Sequence, residues 1–170
     1  VRTKFYDKNG NLLTSAADPE YIAPHCKKYE DYDRVMDAGA SSKNIYFIRY
    51  ADLILLYAEC LLAENDLAGA KQQVIRVRNR AKVSTPITAS NNTEMLDFIY
   101  EERMRELGME GWRRMDLIRR GADYFAAQVD KYNPFAKGNV QPYHAFYPIP
   151  TNEINMNDGI GAEDQNEGYK

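Results

Sequence analysis

Histidine, cysteine and tryptophan are scarce in this chain, whose 170 residues include two His, two Cys and one Trp. Two cysteines, Cys26 and Cys60, are too few to define a redox compartment, and we expect no disulfide between them. His25 precedes Cys26, but no second His/Cys pair follows at metal-ligand spacing, and His144 stands alone. Because metal sites and acid–base catalysis at neutral pH depend on such residues, we expect no metal and no cofactor.

An excess of charge of one sign is also missing, since 22 Lys and Arg face 25 Asp and Glu, for a net charge of −3. A nucleic-acid-binding surface needs an excess of cations to displace phosphate counterions, so nucleic acid is not an expected partner. The sequence also lacks a phosphate-binding loop, a nucleophile elbow, a zinc motif and a Ser/His/Asp set. We therefore expect a protein that is not an enzyme.

The chain has no long apolar run without charges. Its most hydrophobic segment, IRYADLILLYAECLLAE at 48–64, is interrupted by Arg49, Asp52 and Glu59. A membrane span needs about 20 apolar residues, and each charge at its centre would cost about 2.5–3.5 kcal/mol. The segment is therefore predicted to be a helix inside the protein. Since apolar residues point in every direction around it, we expect burial on all sides, with Cys60 as a small hydrophobe.

Two regions are expected from the patterning. Residues 1–43 are predicted to form an irregular loop and hairpin segment, with Asn9-Gly10 as a hairpin turn. Residues 44–170 are predicted to form a helical domain that ends in a coil tail. That tail begins at Asn139 and is rich in Pro, Asn and Gly. Apolar tail residues, namely Tyr147, Ile149 and Ile154, are expected to anchor it on the helices.

Apolar periodicity and capping residues predict helices at 45–64, 67–82, 94–107 and 112–120. The short turn Asn65-Asp66 indicates an antiparallel pair, with Asp66 as the N-cap of the second helix. Asn92 or Thr93 is expected to cap the third helix, and Gly121 to end the fourth.

The charges on these helices allow a structural or a catalytic interpretation. Arg49, Asp52 and Glu59 fall on one arc of the first helix, and buried charges persist only when they are paired. Three further carboxylates at spacing four, 102, 106 and 110, are expected on one helical face. A di-iron site would need Glu-x-x-His motifs on facing helices, which the sequence lacks. Ion pairs between the helices are the simpler interpretation.

Several sequence blocks occur in the order and approximate spacing of the C-terminal region of the SusD/RagB family. They are IRYAD at 48–52 with YAE at 57–59, VRNRA at 77–81, ERMREL at 102–107, EGWR at 110–113 with DL at 116–117, YPIP at 147–150 and QNEGY at 165–169. The chain thus resembles nutrient-binding outer-membrane lipoproteins of Bacteroidetes. It differs where Glu167 stands, because the family usually has Pro there.

The resemblance implies a mainly α fold of antiparallel helical hairpins, with long irregular loops and a coil tail, and tetratricopeptide-like helices in the full protein. The residues at matching positions are implied to form a structural ion-pair network. They are Arg49, Asp52, Glu59, Arg78, Glu102, Arg103, Glu106, Glu110, Arg113 and Asp116.

The resemblance also implies a function. It is a cell-surface protein that binds polysaccharide or oligosaccharide for import by a SusC-like TonB-dependent transporter. Such a protein is surface-exposed on the outer membrane, held by an N-terminal lipid anchor that this sequence does not contain. The alternative is a helical-repeat module that binds a peptide or protein.

Loop tyrosines are the candidate glycan-binding residues, because sugar rings stack on aromatic planes. They are Tyr6, Tyr21, Tyr29, Tyr32, Tyr132 and Tyr143. Each could instead be a half-buried tyrosine with a solvated hydroxyl, which is the commoner role. We expect this region to be mainly scaffold and docking surface, with weak glycan affinity by itself.

Overall fold

The computed structural model describes Lys28, Tyr29, Ser41 and residues 43–170. The chain separates into two compact units, residues 1–49 and residues 50–170. In the first unit Lys28 and Tyr29 form a turn, and residues 43–49 contain no helix. The predicted Asn9-Gly10 hairpin lies outside the described residues. It stays a prediction, as does the division of the chain between residues 43 and 44.

The described part of the second unit contains six α-helices and no strand, so the prediction of a mainly α fold is confirmed. The helices are α1 (Tyr50–Ala63), α2 (Leu67–Arg80), α3 (Asn92–Glu106), α4 (Arg113–Arg119), α5 (Ala122–Tyr132) and α6 (Thr151–Met156). Two short 3₁₀ turns, Pro142–Ala145 and Ala162–Asp164, lie in the tail. The tail is otherwise coil, and its short helical pieces were not indicated by periodicity.

The boundaries of the first helices follow local chemistry. The first helix was predicted from residue 45 but begins at Tyr50, because residues 45–48 are β-branched or aromatic and favour helix weakly. Asp66 caps α2 as predicted, and its Oδ1 accepts a hydrogen bond from Gly69 N at 2.8 Å. The predicted cap of α3 was wrong by one or two positions. Asn91 is the N-cap, and its Oδ1 accepts from Glu94 N at 2.9 Å.

The main hydrophobic core lies between α1, α2 and α3. Its buried residues are Leu55, Ala58, Leu62, Ala70, Val74, Val77, Ala89, Met95 and Ile99. A smaller cluster, Leu117, Phe125 and Ala145, joins α4 and α5 to the first 3₁₀ turn. The second cluster matters for function, because it fixes the start of the tail to two helices.

One face of α1 is exposed, which corrects the prediction of burial on all sides. Tyr50, Leu53, Tyr57 and Cys60 lie three or four residues apart and share this face. The helices that pack against α1 cover only part of its circumference, so its apolar residues are not all enclosed. Cys60 is therefore an exposed free thiol rather than a buried hydrophobe. Among the described residues, no helix is long and apolar enough to span a bilayer.

Candidate functional site

Arg103 on α3 is a buried cation whose side chain is 2% exposed. Its Nη1 lies 2.7 Å from Oδ1 of Asp52 on α1, and its Nη2 lies 2.9 Å from Oδ1 of Asp116 on α4. Glu59 on α1 adds a third carboxylate, 3.9 Å from Arg103 Nε. Burial by itself lowers the pKa of Arg103, but the hydrogen bond and charge of Asp116 and the charge of Asp52 outweigh it, and the pKa is raised. One planar guanidinium thus joins three helices.

A second group of ion pairs joins α2 to α3. Arg78 Nη1 lies 2.9 Å from Glu102 Oε2, and both side chains are buried. The other terminal nitrogen of Arg78 donates to the Thr85 carbonyl at 2.6 Å. At the helix ends, Arg80 Nη2 lies 2.6 Å from Glu106 Oε2. These carboxylates are held by arginines, which is the arrangement of a scaffold.

Other residues of the predicted network are placed differently. Glu110 does not share a face with Glu102 and Glu106, because α3 ends at Glu106 and Glu110 lies beyond it. Arg113 donates to a backbone carbonyl of α3 at 2.9 Å. Participation of Arg49 and Glu110 in the network stays a prediction.

Tyr100 on α3 lies beside this network. Its hydroxyl is 3.4 Å from Glu59 Oε2, and the guanidinium of Arg119 lies 5.5 Å from its ring centre. Arg119 in turn donates to Glu59 Oε2 at 2.9 Å. Burial, followed by the charge of Glu59, raises the pKa of Tyr100 to about 12. The neutral phenol is thus favoured by the folded state.

The raised pKa of Tyr100 predicts the direction in which stability changes at alkaline pH. An unfolded tyrosine titrates near pH 10, so from there up to about pH 12 the folded protein retains a proton that the unfolded chain loses. The contribution of Tyr100 is therefore complete below pH 10 and declines as pH rises towards 12. Between pH 9 and pH 11, the denaturation midpoint should fall less for Tyr100→Phe than for the unsubstituted chain. The control is Tyr57→Phe, which removes the hydroxyl of an exposed tyrosine on α1, and equal falls in all three proteins would contradict the prediction.

The side chain of Gln165 fastens the tail by forming hydrogen bonds to the backbone of Ile149, as a neighbouring strand would. Gln165 Oε1 accepts from Ile149 N at 2.7 Å, and Gln165 Nε2 donates to Ile149 O at 2.9 Å. One amide thus satisfies both backbone groups of a residue 16 positions earlier. Glutamine can do this because its side chain carries a donor and an acceptor at the same end.

Two further bonds join the same segments. Asn166 Nδ2 donates to Tyr147 O at 2.7 Å, and the Tyr169 hydroxyl donates to Phe146 O at 3.0 Å. We call these bonds the tail clasp, formed by residues 146, 147 and 149 with residues 165, 166 and 169. The QNEGY block therefore has a structural role in fastening the tail to the YPIP block.

Gly168 allows a close contact inside the clasp. Its φ is +86°, and an added Cβ would lie 2.3 Å from Cγ of Tyr143. The ring of Tyr143 therefore lies directly against the backbone of Gly168, where only glycine fits. The ring of Tyr169 meets Tyr143 edge-on, with centroids 5.1 Å apart. These contacts fix the orientation of Tyr143.

Beside the clasp lies an open cavity of about 670 Å³. Two aromatic rings, Tyr143 and Phe146, contribute to its wall, and Phe146 is 58% exposed. The described lining residues are Ala122, Gln141, Pro142, Tyr143, Phe146, Asn166, Glu167 and Gly168. Apolar walls with a few polar groups are typical of small-ligand sites, and the volume lies within their usual range of about 300–1,000 Å³.

Arg114 on α4 holds in place the 3₁₀ turn that contains Tyr143. Its Nη2 donates to His144 O at 3.1 Å and to Ala145 O at 2.9 Å. Its guanidinium lies 4.1 Å from the ring centre of Tyr147 and 5.2 Å from that of Phe125. Tyr147 is 70% exposed, so it anchors the tail through this stacking rather than through burial. The cavity is thereby attached to the helical scaffold.

The sequence of this chain matches that of a known family. A model of the SusD family matches residues 2–169. The chain belongs to the SusD family. No solved structure matches it. Within residues 43–170 and the few described before them, no group of three or more His, Cys, Asp or Glu side chains is placed to hold a metal ion.

Two curated relatives cover most of this SusD-family chain. A SusD-like protein of Formosa agariphila is 34% identical over 134 residues, which is 76% of this chain and 25% of that protein. The starch-binding protein SusD of Bacteroides thetaiotaomicron is 32% identical over 142 residues, which is 80% of this chain and 23% of that protein. The chain thus spans about a quarter of the length of these relatives.

The structure describes half of the six candidate tyrosines of this SusD-family chain. Three of them, Tyr6, Tyr21 and Tyr32, lie outside the described residues. In the first unit, Tyr29 is an exposed turn residue. At the end of α5, Tyr132 has its hydroxyl 3.4 Å from Glu101 Oε1.

Among the described candidates, Tyr143 lines the cavity. Sequence reasoning did not select the other aromatic and polar lining residues, including Phe146, Gln141, Asn166 and Glu167. The available signal was the closing QNEGY block, which contributes three residues to the lining. Glycan binding by any of the six tyrosines stays a prediction.

Proposed function

We propose that this chain is part of a cell-surface protein that binds polysaccharide or oligosaccharide for import. The observation that carries the proposal is the cavity, in which Tyr143 and Phe146 stand beside Gln141, Asn166 and Glu167. Sugar rings have apolar C–H faces that stack on aromatic planes, and hydroxyl groups that bond to amides and carboxylates. A relative that covers most of the chain is named as starch-binding.

Binding without hydrolysis fits the same cavity. Glycoside hydrolysis ordinarily uses two carboxyl groups placed on either side of the scissile bond. The described lining residues of the cavity include one carboxylate, Glu167. The buried carboxylates of the helices, such as Asp52 and Asp116, are held by Arg103 in the scaffold. We infer that the chain holds a glycan and leaves it intact.

Import requires a partner, which we propose to be a SusC-like TonB-dependent transporter in the outer membrane. Membership of the SusD family supports this pairing. We further propose that the whole protein is surface-exposed and attached through an N-terminal lipid.

Calorimetry with a panel of soluble oligosaccharides, maltooligosaccharides included, tests the glycan proposal. Phe146→Ala should weaken binding about 2- to 13-fold, as expected for the loss of about 0.5–1.5 kcal/mol of aromatic contact. The matched control is Phe135→Ala, which removes a ring that is 95% exposed and does not line the cavity. Its affinity should be unchanged.

The 170-residue chain should bind more weakly than the full-length protein, because it spans about a quarter of its relatives. Absence of saturable binding to every glycan in both proteins would overturn the proposal. An equal loss of glycan affinity in Phe135→Ala and Phe146→Ala would exclude the cavity as the binding site.

A further inference from the structure

The described lining residues of the cavity carry charge of one sign. Glu167 is the charged residue among its described lining residues, and its side chain is exposed. The ion pairs within the described part of the chain leave Glu167 without a cationic partner. Glu167 is therefore available to a ligand, and it lines the same cavity as the two aromatic rings.

The tail as a whole carries a net negative charge. From residue 139 onward the carboxylates are Glu153, Asp158, Glu163, Asp164 and Glu167, and the cationic side chain is Lys170. The neighbouring cation on the helices, Arg114, is already engaged by two backbone carbonyls and stacked on Tyr147. Glu167 therefore gives the described lining of the cavity a net negative charge.

We propose that the cavity selects among glycans by charge. It favours a sugar residue with a protonated amine over a neutral one, and a neutral sugar over a uronate or sulfated sugar. In this arrangement the pyranose face lies on Phe146 and Tyr143, and the ammonium group pairs with Glu167. The inference rests on the proposed glycan function and adds the substrate class to it.

The size of the effect follows from the exposure of Glu167. One exposed ion pair changes affinity about 1.5- to 5-fold, and salt screens it over about 8 Å at physiological ionic strength. A glucosamine oligomer should therefore bind about 1.5- to 5-fold tighter than the neutral oligomer of equal length. A galacturonate oligomer should bind more weakly than the neutral one.

Calorimetry of the 170-residue chain with these three oligomers, at a pH where the amine is protonated, tests the inference. Glu167→Gln should bring the three affinities together, and 1 M NaCl should do the same in the unsubstituted chain. Glu163→Gln removes an equal charge from the same tail outside the cavity lining, and should preserve the order.

Each outcome separates the two proposals. If the three oligomers bind equally, and Glu167→Gln changes none of them, the charge inference is wrong while glycan binding stands. Tighter binding of the galacturonate oligomer would also overturn the inference. If none of the three oligomers binds while a maltooligosaccharide does, the charge inference is wrong and the glycan proposal stands.

Discussion

Replacing Arg103 with Met should lower the free energy of unfolding by about 3–5 kcal/mol, which is the typical cost of removing one partner from a buried ion pair. The substitution would leave Asp52 and Asp116 buried without their shared cation, 2.7 Å and 2.9 Å from where its nitrogens now lie. Urea denaturation of the 170-residue chain, followed by helical circular dichroism, measures the change. Arg103→Lys should be intermediate, because one ammonium group cannot bridge both carboxylates as the guanidinium fork does.

The control for Arg103 is Arg105 on the same helix. Arg105 also contacts carboxylates, Glu101 and Glu102, but its side chain is 50% exposed. Arg105→Met should therefore cost about 1 kcal/mol or less. Equal midpoints for the Arg103 and Arg105 variants would show that the three-helix pairing contributes little. Loss of glycan affinity at unchanged stability would instead give Arg103 or its partners a binding role.

Replacing Gly168 with Ala should open the tail clasp and remove the cavity while leaving the three-helix core intact. The new Cβ would lie 2.3 Å from the Tyr143 ring, and the residue would keep a left-handed φ of +86°. Such strain costs about 1–3 kcal/mol before the steric clash is added. We expect hydrogen exchange of the Ile149 amide to accelerate about 10-fold or more, because strain of this size favours local opening. Glycan binding should fall with it.

Gly138 provides a matched control for this prediction. Its φ is +78°, and an added Cβ would have no atom within 4 Å. Gly138→Ala therefore carries the backbone strain without the contact with Tyr143. Unchanged exchange at Ile149 in Gly168→Ala would show that the clasp tolerates the added carbon. Equal acceleration in both variants would assign the effect to backbone strain alone.

Local chemistry explains why the helices could be predicted from the sequence. Asp66 followed by an apolar stripe defined the start of α2, and Ala70, Val74 and Val77 are buried as that stripe requires. Periodicity could not show how much of α1 its neighbours would cover, so exposed Tyr57 and Leu53 were assigned to the interior. Packing partners, and not hydrophobicity alone, decide burial.

The cavity was mostly beyond the reach of sequence patterns. Its clasp consists of bonds from side chains to backbone groups 16 to 23 positions away, such as Gln165 to Ile149 and Tyr169 to Phe146. Bonds of this kind leave no periodic signal. The tail helices are too short to dominate a periodicity window, since α6 has six residues. Tyr143 was selected because loop aromatics suit sugars, and that criterion alone could not identify Phe146.

The clasp also allows the loop between its two sides to vary in length without a change in the fold. Its two sides are fixed to each other by their own bonds, and the first side is fixed to α4 by Arg114. The segment between the two sides, residues 150–164, begins and ends at points that the clasp holds together. Doubling such a loop costs only about 0.6 kcal/mol in closure entropy. Insertions there would lengthen the protein while leaving the helices, the clasp and the cavity in register. Over evolutionary time, residues 157–161 are therefore a place where this part of the chain can grow.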